Sequence, residues 1–158
     1  MNERFETFTV LIAKISRSIR AIKNREMEEY GLRSAHVSCL YYLYETDGLT
    51  ATELCERCEE DKATISRALD FLESNGYICC TSRAAKRYKS PLHLTEAGKS
   101  VGRQIADKID GVLEATAKGL TEEERHAFYR SLSIISNSLE TICRHSESDA
   151  VTESQKGE

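Results

Sequence analysis

Asp61-Lys62-Ala63-Thr64-Ile65-Ser66-Arg67-Ala68-Leu69-Asp70-Phe71-Leu72 is the run whose reading decides the fold. Asp61 carries a carboxylate that accepts the unpaired N–H groups opening a helix. Ile65, Leu69 and Leu72 then recur at helical spacing with Ala68 beside them, a buried face. Ala63, Arg67, Asp70 and Ser74 point the opposite way, Thr64 and Ser66 flank that outer face, and Asn75-Gly76 ends the helix. Upstream, Thr50-x-x-Glu53 is a capping-box pattern opening a short helix with Leu54, Cys55 and Cys58 inward. Glu59-Glu60 makes the turn between the two helices. Downstream, Tyr77 to Thr81 and Ser90 to Leu94 read as short strands around a basic loop. This order of parts is a helix-turn-helix followed by a wing.

Outside that lobe the pattern is helical. Phe5, Phe8, Ile12, Ile15, Ile19 and Ile22 alternate at spacings of three and four, the stripe of a long amphipathic helix that packs on another helix. Tyr30-Gly31 reads as its stop. Ser34 reads as the cap of a second helix with Val37, Leu40, Tyr41 and Tyr44 on one face. Asp47-Gly48 punctuates its end. After the wing, Thr95 starts a long helix carrying Val101, Ile105, Ile109 and Val112, with Gly119 as its end. Thr121-x-x-Glu124 caps another, on which Phe128, Leu132, Ile135, Leu139 and Ile142 return at spacings of 4, 3, 4 and 3.

The expected architecture is therefore mainly α with a small β-hairpin wing: a winged helix-turn-helix with N- and C-terminal dimerisation helices. One regulator unit spans about 1–145. Its dimerisation helices cover about 4–30 and 96–145, its winged-helix lobe about 32–95, its helix-turn-helix about 50–75 and its wing about 77–94. The polar, acidic stretch 146–158 is expected to be disordered. The terminal stripes are too long for one small lobe to cover, and apolar surface left in water costs about 25 cal/mol per Å². A twofold partner is the simplest cover.

The 158 residues include a single proline, Pro91, and carry a formal net charge of −4. The sum alone argues mildly against nucleic acid, but its distribution matters more. Between Thr81 and Leu94, Arg83, Lys86, Arg87 and Lys89 stand without one acidic residue, while Glu26-Met27-Glu28-Glu29, Glu122-Glu123-Glu124 and the C-terminal tail hold the acidic excess. No signal peptide or membrane-spanning apolar run is visible, so a cytoplasmic protein with reduced cysteines is expected. No glycine-rich phosphate loop, nucleophile with matching histidine or paired carboxylates appears, so an enzyme is not expected, nor a cofactor.

A helix that enters the major groove needs short or basic residues near its N-terminal half, which Lys62, Ala63, Thr64, Ser66 and Arg67 supply. Arginine takes guanine bidentately, serine and threonine bond to base or phosphate, and alanine admits a thymine methyl. The same residues also suit an ordinary solvated helix face. The basic loop with Tyr88, directly after that helix, favours the DNA reading, since a cationic hairpin follows phosphates and enters a minor groove.

Leu49-Thr50-x-x-Glu53-Leu54, Asp61 through Arg67, Leu72-Glu73, Asn75-Gly76-Tyr77-Ile78 and Leu94-Thr95-Glu96-Ala97-Gly98 together resemble the multiple-antibiotic-resistance regulator (MarR) family. The resemblance covers roughly Phe5 to Cys143. It implies a homodimer with intertwined terminal helices and one winged lobe on each half-site of a double-stranded DNA operator. Lys62, Thr64, Ser66 and Arg67 would lie in the major groove, with Arg83 to Lys89 as the wing. Many members are repressors released by small phenolic or drug-like effectors, or by thiol oxidation. Two departures stand out. The wing lacks the family's Asp-x-Arg, having Ala84-Ala85-Lys86-Arg87 instead, and Glu59 and Glu60 stand where a glycine and an apolar residue are usual.

Cys55 and Cys58 lie one helical turn apart and so have the spacing to meet a soft metal or metalloid, but core packing is the favoured reading. Cys79-Cys80 opens the wing hairpin with side chains to opposite faces, which offers a redox alternative to plain strand residues. Cys39 and Cys143 sit on apolar helix faces. The four histidines lack zinc-ligand spacing to either pair. A candidate effector site lies where the long N-terminal helix and the helix of Tyr41, Tyr42 and Tyr44 meet the winged lobe, although core aromatics with exposed hydroxyls are the favoured reading.

Overall fold

The computed structural model describes residues 2–80 and 89–154, with side chains for 7–80 and 89–144. In chain order the elements are α1 (Asn2–Glu26), a 3-10 turn (Glu28–Tyr30), α2 (Ser34–Glu45), α3 (Ala51–Cys58), α4 (Lys62–Ser74), β1 (Ile78–Cys80), β2 (Leu92–Leu94), α5 (Glu96–Ala117) and α6 (Glu122–Ser154). The chain divides into two compact units, Met1–Gly111 and Val112–Glu158. No described helix is long and apolar enough to cross a membrane.

The first unit holds the winged helix. Helices α2, α3 and α4 pack on one another, and α4 leads straight into β1. Leu40, Leu43, Leu54, Ile65, Leu69 and Leu72 fill the space between them, each nearly inaccessible to water. The spacing read in the sequence marks all of these but Leu43; on α2 it assigns the face to Tyr44, which is exposed, while Leu43 takes the buried place. Thr50 accepts from the Glu53 N–H while the Glu53 carboxylate accepts from the Thr50 N–H at 2.8 Å, the reciprocal pairing that starts α3.

Strands β1 and β2 pair antiparallel, with Ile78 opposite Leu94, Cys79 opposite His93 and Cys80 opposite Leu92. The far side of β2 is also bonded: the Leu92 N–H donates to the Leu49 carbonyl at 3.0 Å and the Gly48 N–H to the Leu92 carbonyl at 3.2 Å. Gly48, at φ 78, supplies the left-handed backbone that turns α2's exit into this short third edge. Sequence reading sees Asp47-Gly48 as punctuation and misses this pairing.

Helix α5 begins hard against the hairpin. Thr95 is its cap, its Oγ1 accepting from the Gly98 N–H at 3.1 Å and donating to the Gly76 carbonyl at 2.6 Å. A Cβ on Gly98 would stand 1.9 Å from the Tyr77 carbonyl oxygen, so only glycine fits. One turn on, Gly102 lies under the Tyr44 ring. Lys108 then donates to the Glu26 carbonyl at 2.9 Å, and the Tyr30 hydroxyl donates to Gln104, joining α5 to the end of α1.

Three boundaries differ from those read in the sequence. Helix α1 stops at Glu26, and Gly31 at φ 66 instead closes the 3-10 turn after it. Ser34 is the first residue inside α2 and not its cap; Asn24 Oδ1 accepts the Ser34 N–H at 2.7 Å and His36 Nδ1 accepts the Arg33 N–H at 3.0 Å. Helix α6 runs to Ser154, beyond the expected loss of order at His145. Adding a residue to a formed helix costs far less than nucleating one, and no glycine or proline interrupts the sequence before Gly157.

Candidate nucleic-acid interface

The turn between α3 and α4 sets the angle at which α4 is presented. Glu59 takes the left-handed conformation, φ 53 and ψ 43, and the Glu60 N–H returns to the Cys55 carbonyl at 3.2 Å. A residue with a Cβ pays for that backbone where glycine does not. The turn is nonetheless retained with Glu59 in the position where a glycine is usual.

Helix α4 opens at Asp61. Its Oδ1 accepts the Thr64 N–H and its Oδ2 accepts the Thr64 hydroxyl, both at 2.8 Å. These bonds hold the Asp61 carboxyl below its ordinary range. Arg67, a turn further, donates from Nη2 to Thr64 Oγ1 at 3.2 Å. Lys62, Ala63 and Arg67 are exposed, Thr64 and Ser66 are half-buried, and all five belong to the first two turns of α4. Ile65, Ala68 and Leu69, interleaved with them, face the core. The helix thus separates a packing face from an open polar surface that carries two cations, Lys62 and Arg67.

Lys89, at the rim of the hairpin before β2, is exposed, whereas its neighbour Ser90 is buried. Arg83, Lys86 and Arg87 lie outside the described residues. At the hairpin base His93 Nδ1 meets the Asp47 carboxylate at 2.9 Å. Of the predicted interface residues, the structure describes the α4 set and Lys89.

The other candidate positions separate. Tyr41 and Tyr42 are half-buried and meet edge-on at 5.4 Å between centroids, while Tyr44 covers Gly102. A cavity of about 430 Å³ lies instead beside the end of α1, walled by Ala21, Asn24, Arg25, Glu28, Leu32 and Arg33. None of the three tyrosines is among its lining residues.

None of the six cysteines is in a disulfide. Cys58 lies beside Cys39 of α2, a neighbour that the sequence spacing of Cys55 and Cys58 does not suggest. Cys39, and then the Lys23 ammonium, pull the Cys58 thiol below its ordinary value, while Cys58 and burial push Cys39 upward. Burial also raises Cys55. Among the described residues no three His, Cys, Asp or Glu side chains gather as a metal site. Cys79 is exposed and Cys80 half-buried, on opposite faces of β1.

Comparison with known proteins agrees with this geometry. Residues 30–87 match the model of the MarR family. The chain resembles the winged-helix proteins of the MarR family. It is 26% identical over 129 residues to the uncharacterised HTH-type transcriptional regulator YybA of Bacillus subtilis, covering 82% of this chain and 86% of that one. It is 28% identical over 115 residues to the HTH-type transcriptional repressor YetL of the same organism, covering 69% of each. Among solved structures it resembles a MarR-family regulator from Listeria monocytogenes complexed with a 26mer DNA. That match has 26% identity and a TM-score of 0.74, over 81% of this chain and 85% of that one. The MarR relatives are transcriptional regulators, which are not enzymes.

Proposed function

We propose that this MarR-like protein is a sequence-specific double-stranded DNA-binding repressor that acts as a homodimer on a palindromic operator. The carrying observation is the open face of α4: Lys62, Ala63 and Arg67 exposed, Thr64 and Ser66 beside them, on a helix whose other face is locked into the core. In this reading α4 enters the major groove and reads base edges. Lys89, with Arg83, Lys86 and Arg87, neutralises phosphates along the neighbouring backbone. Repression is proposed by analogy with YetL, a transcriptional repressor, and DNA as the target by analogy with the Listeria complex.

The homodimer rests on uncovered apolar surface. Ile15 and Ile19 on α1 are 47% and 48% exposed, and Leu139 and Ile142 on α6 are 49% and 61% exposed. Release by a small phenolic or drug-like effector is the corresponding regulatory proposal. The cavity beside α1 falls in the range that such molecules occupy, and Arg25 and Arg33 in its wall suit an acidic group. A redox-responsive form of the same reading is favoured by one observation, the half-buried Cys58 thiol beside Cys39.

The test is selection of bound duplexes from a random pool, followed by titration on the selected and on random sequence. The expected product is an inverted repeat with half-sites about one helical turn apart. Arg67→Ala is expected to lose discrimination between the two duplexes, and Lys89→Ala to weaken both alike and flatten the salt slope by about one unit. A protein that retains no duplex, or two variants with the same profile, would refute the reading. Phenolic acids and a hydroperoxide, added to the same assay, test the two modes of release.

A further inference from the structure

The hydroxyl of Thr64 has one proton, and it is given to Asp61 Oδ2 at 2.8 Å. Its oxygen accepts Arg67 Nη2 at 3.2 Å, and its backbone N–H is held by Asp61 Oδ1. The polar groups of Thr64 are therefore engaged within the helix, although its position in the sequence suggests a residue that bonds to base or phosphate. Arg67 uses one of its five N–H groups on Thr64, which leaves one edge of the guanidinium with a hydrogen on each of two adjacent nitrogens. That edge is the one that takes a guanine O6 and N7 together.

We infer that Asp61 and Thr64 are positioning residues, a relay that aims the Arg67 guanidinium at one base pair without touching a base themselves. This rests on the DNA-reading function proposed above and assigns its specificity-determining element. Two physical consequences support it. A long arginine side chain held before DNA arrives loses less rotamer freedom on binding. Asp61 also takes the Thr64 N–H near the start of α4 with its own carboxylate, whose charge disfavours a phosphate at that helix end.

The experiment uses the full chain and its selected duplex, with each base pair changed in turn. Arg67→Ala identifies the base pair read by arginine. Thr64→Val keeps shape and the Asp61–N–H cap but removes the hydroxyl. It is expected to lose discrimination at that same base pair by about tenfold, within the range of a bidentate arginine contact. Its salt slope and its affinity for random duplex should match the wild type. Thr64→Ser should restore the wild-type profile, and Thr64→Val added to Arg67→Ala should change nothing further. A loss at a different base pair, multiplying losses in the double variant, or a serine variant that behaves like valine would overturn the relay while leaving the DNA function standing. Wild-type protein that binds every duplex alike removes both.

Discussion

His36 shows how much one side chain carries in this lobe. Its Nδ1 accepts the Arg33 N–H at the start of α2, and its ring stacks on Phe71 of α4 at 4.3 Å with planes 4° apart. Burial, and then the Arg33 cation, push its pKa below the ordinary histidine value. An acceptor nitrogen that takes a proton loses its bond, so the folded state holds the neutral ring. The unfolded chain binds the proton first as pH falls below about 6.5. The stability tied to His36 is thus full above that value and drains as pH falls through the depressed native pKa. Melting temperature is expected to drop as pH falls below about 6.5, ahead of the acidic losses at Glu53, Asp61 and Glu124, whose carboxyls are held low by hydrogen bonds from Thr50, Thr64 and Thr121. His36→Gln should flatten the first step; superimposable profiles for both proteins would refute it. None of this is visible in the sequence, where His36 is a lone ring without a partner, because Phe71 stands 35 positions away. The Cys39–Cys58 contact is hidden for the same reason.

At the scale of elements, what is written in local spacing is legible and what depends on docking is not. Thr50 with Glu53 and Thr121 with Glu124 announce two helix starts, and both pairs form as their spacing requires. Ile65, Leu69 and Leu72 announce the buried side of α4, and two short strand-like runs around a basic loop announce a hairpin. The third edge at Leu49 and the α2 cap from Asn24 escape, since each needs a bond between distant segments. Glycines on α5 give a direct test of docking. Gly98→Ala forces a Cβ into the Tyr77 carbonyl and is expected to cost about 1–3 kcal/mol or more, as overpacking does. Gly111→Ala, on the same helix with nothing within 4 Å, should stabilise by about 0.5–1 kcal/mol through helix propensity. Denaturant midpoints measure both, and equal shifts for the two variants would contradict the close seat of Gly98.

The whole molecule exposes more apolar side chain than one chain in water favours. On α1, Phe8, Ile12, Ile15 and Ile19 are exposed, and on α6 so are Phe128, Leu139 and Ile142. Their spacing of three and four is readable in the sequence, and so is the inference that a second copy covers them. Sedimentation at micromolar concentration is expected to give a dimer. Ile15→Glu with Ile142→Glu should yield a monomer whose winged lobe keeps its helical circular dichroism; a wild-type monomer would leave the stripes without that explanation. The basic wing tip, equally legible as composition, has its cations Arg83, Lys86 and Arg87 outside the described residues.

The absence of a side chain at Gly98 has a mechanical meaning. With the Tyr77 carbonyl pressed against its Cα, α5 and the base of β1 cannot slide past each other. The Thr95 hydroxyl pins the same junction to Gly76. The first turn of α5 and the base of the hairpin are in effect one rigid piece, riveted by a missing methyl and a single hydroxyl.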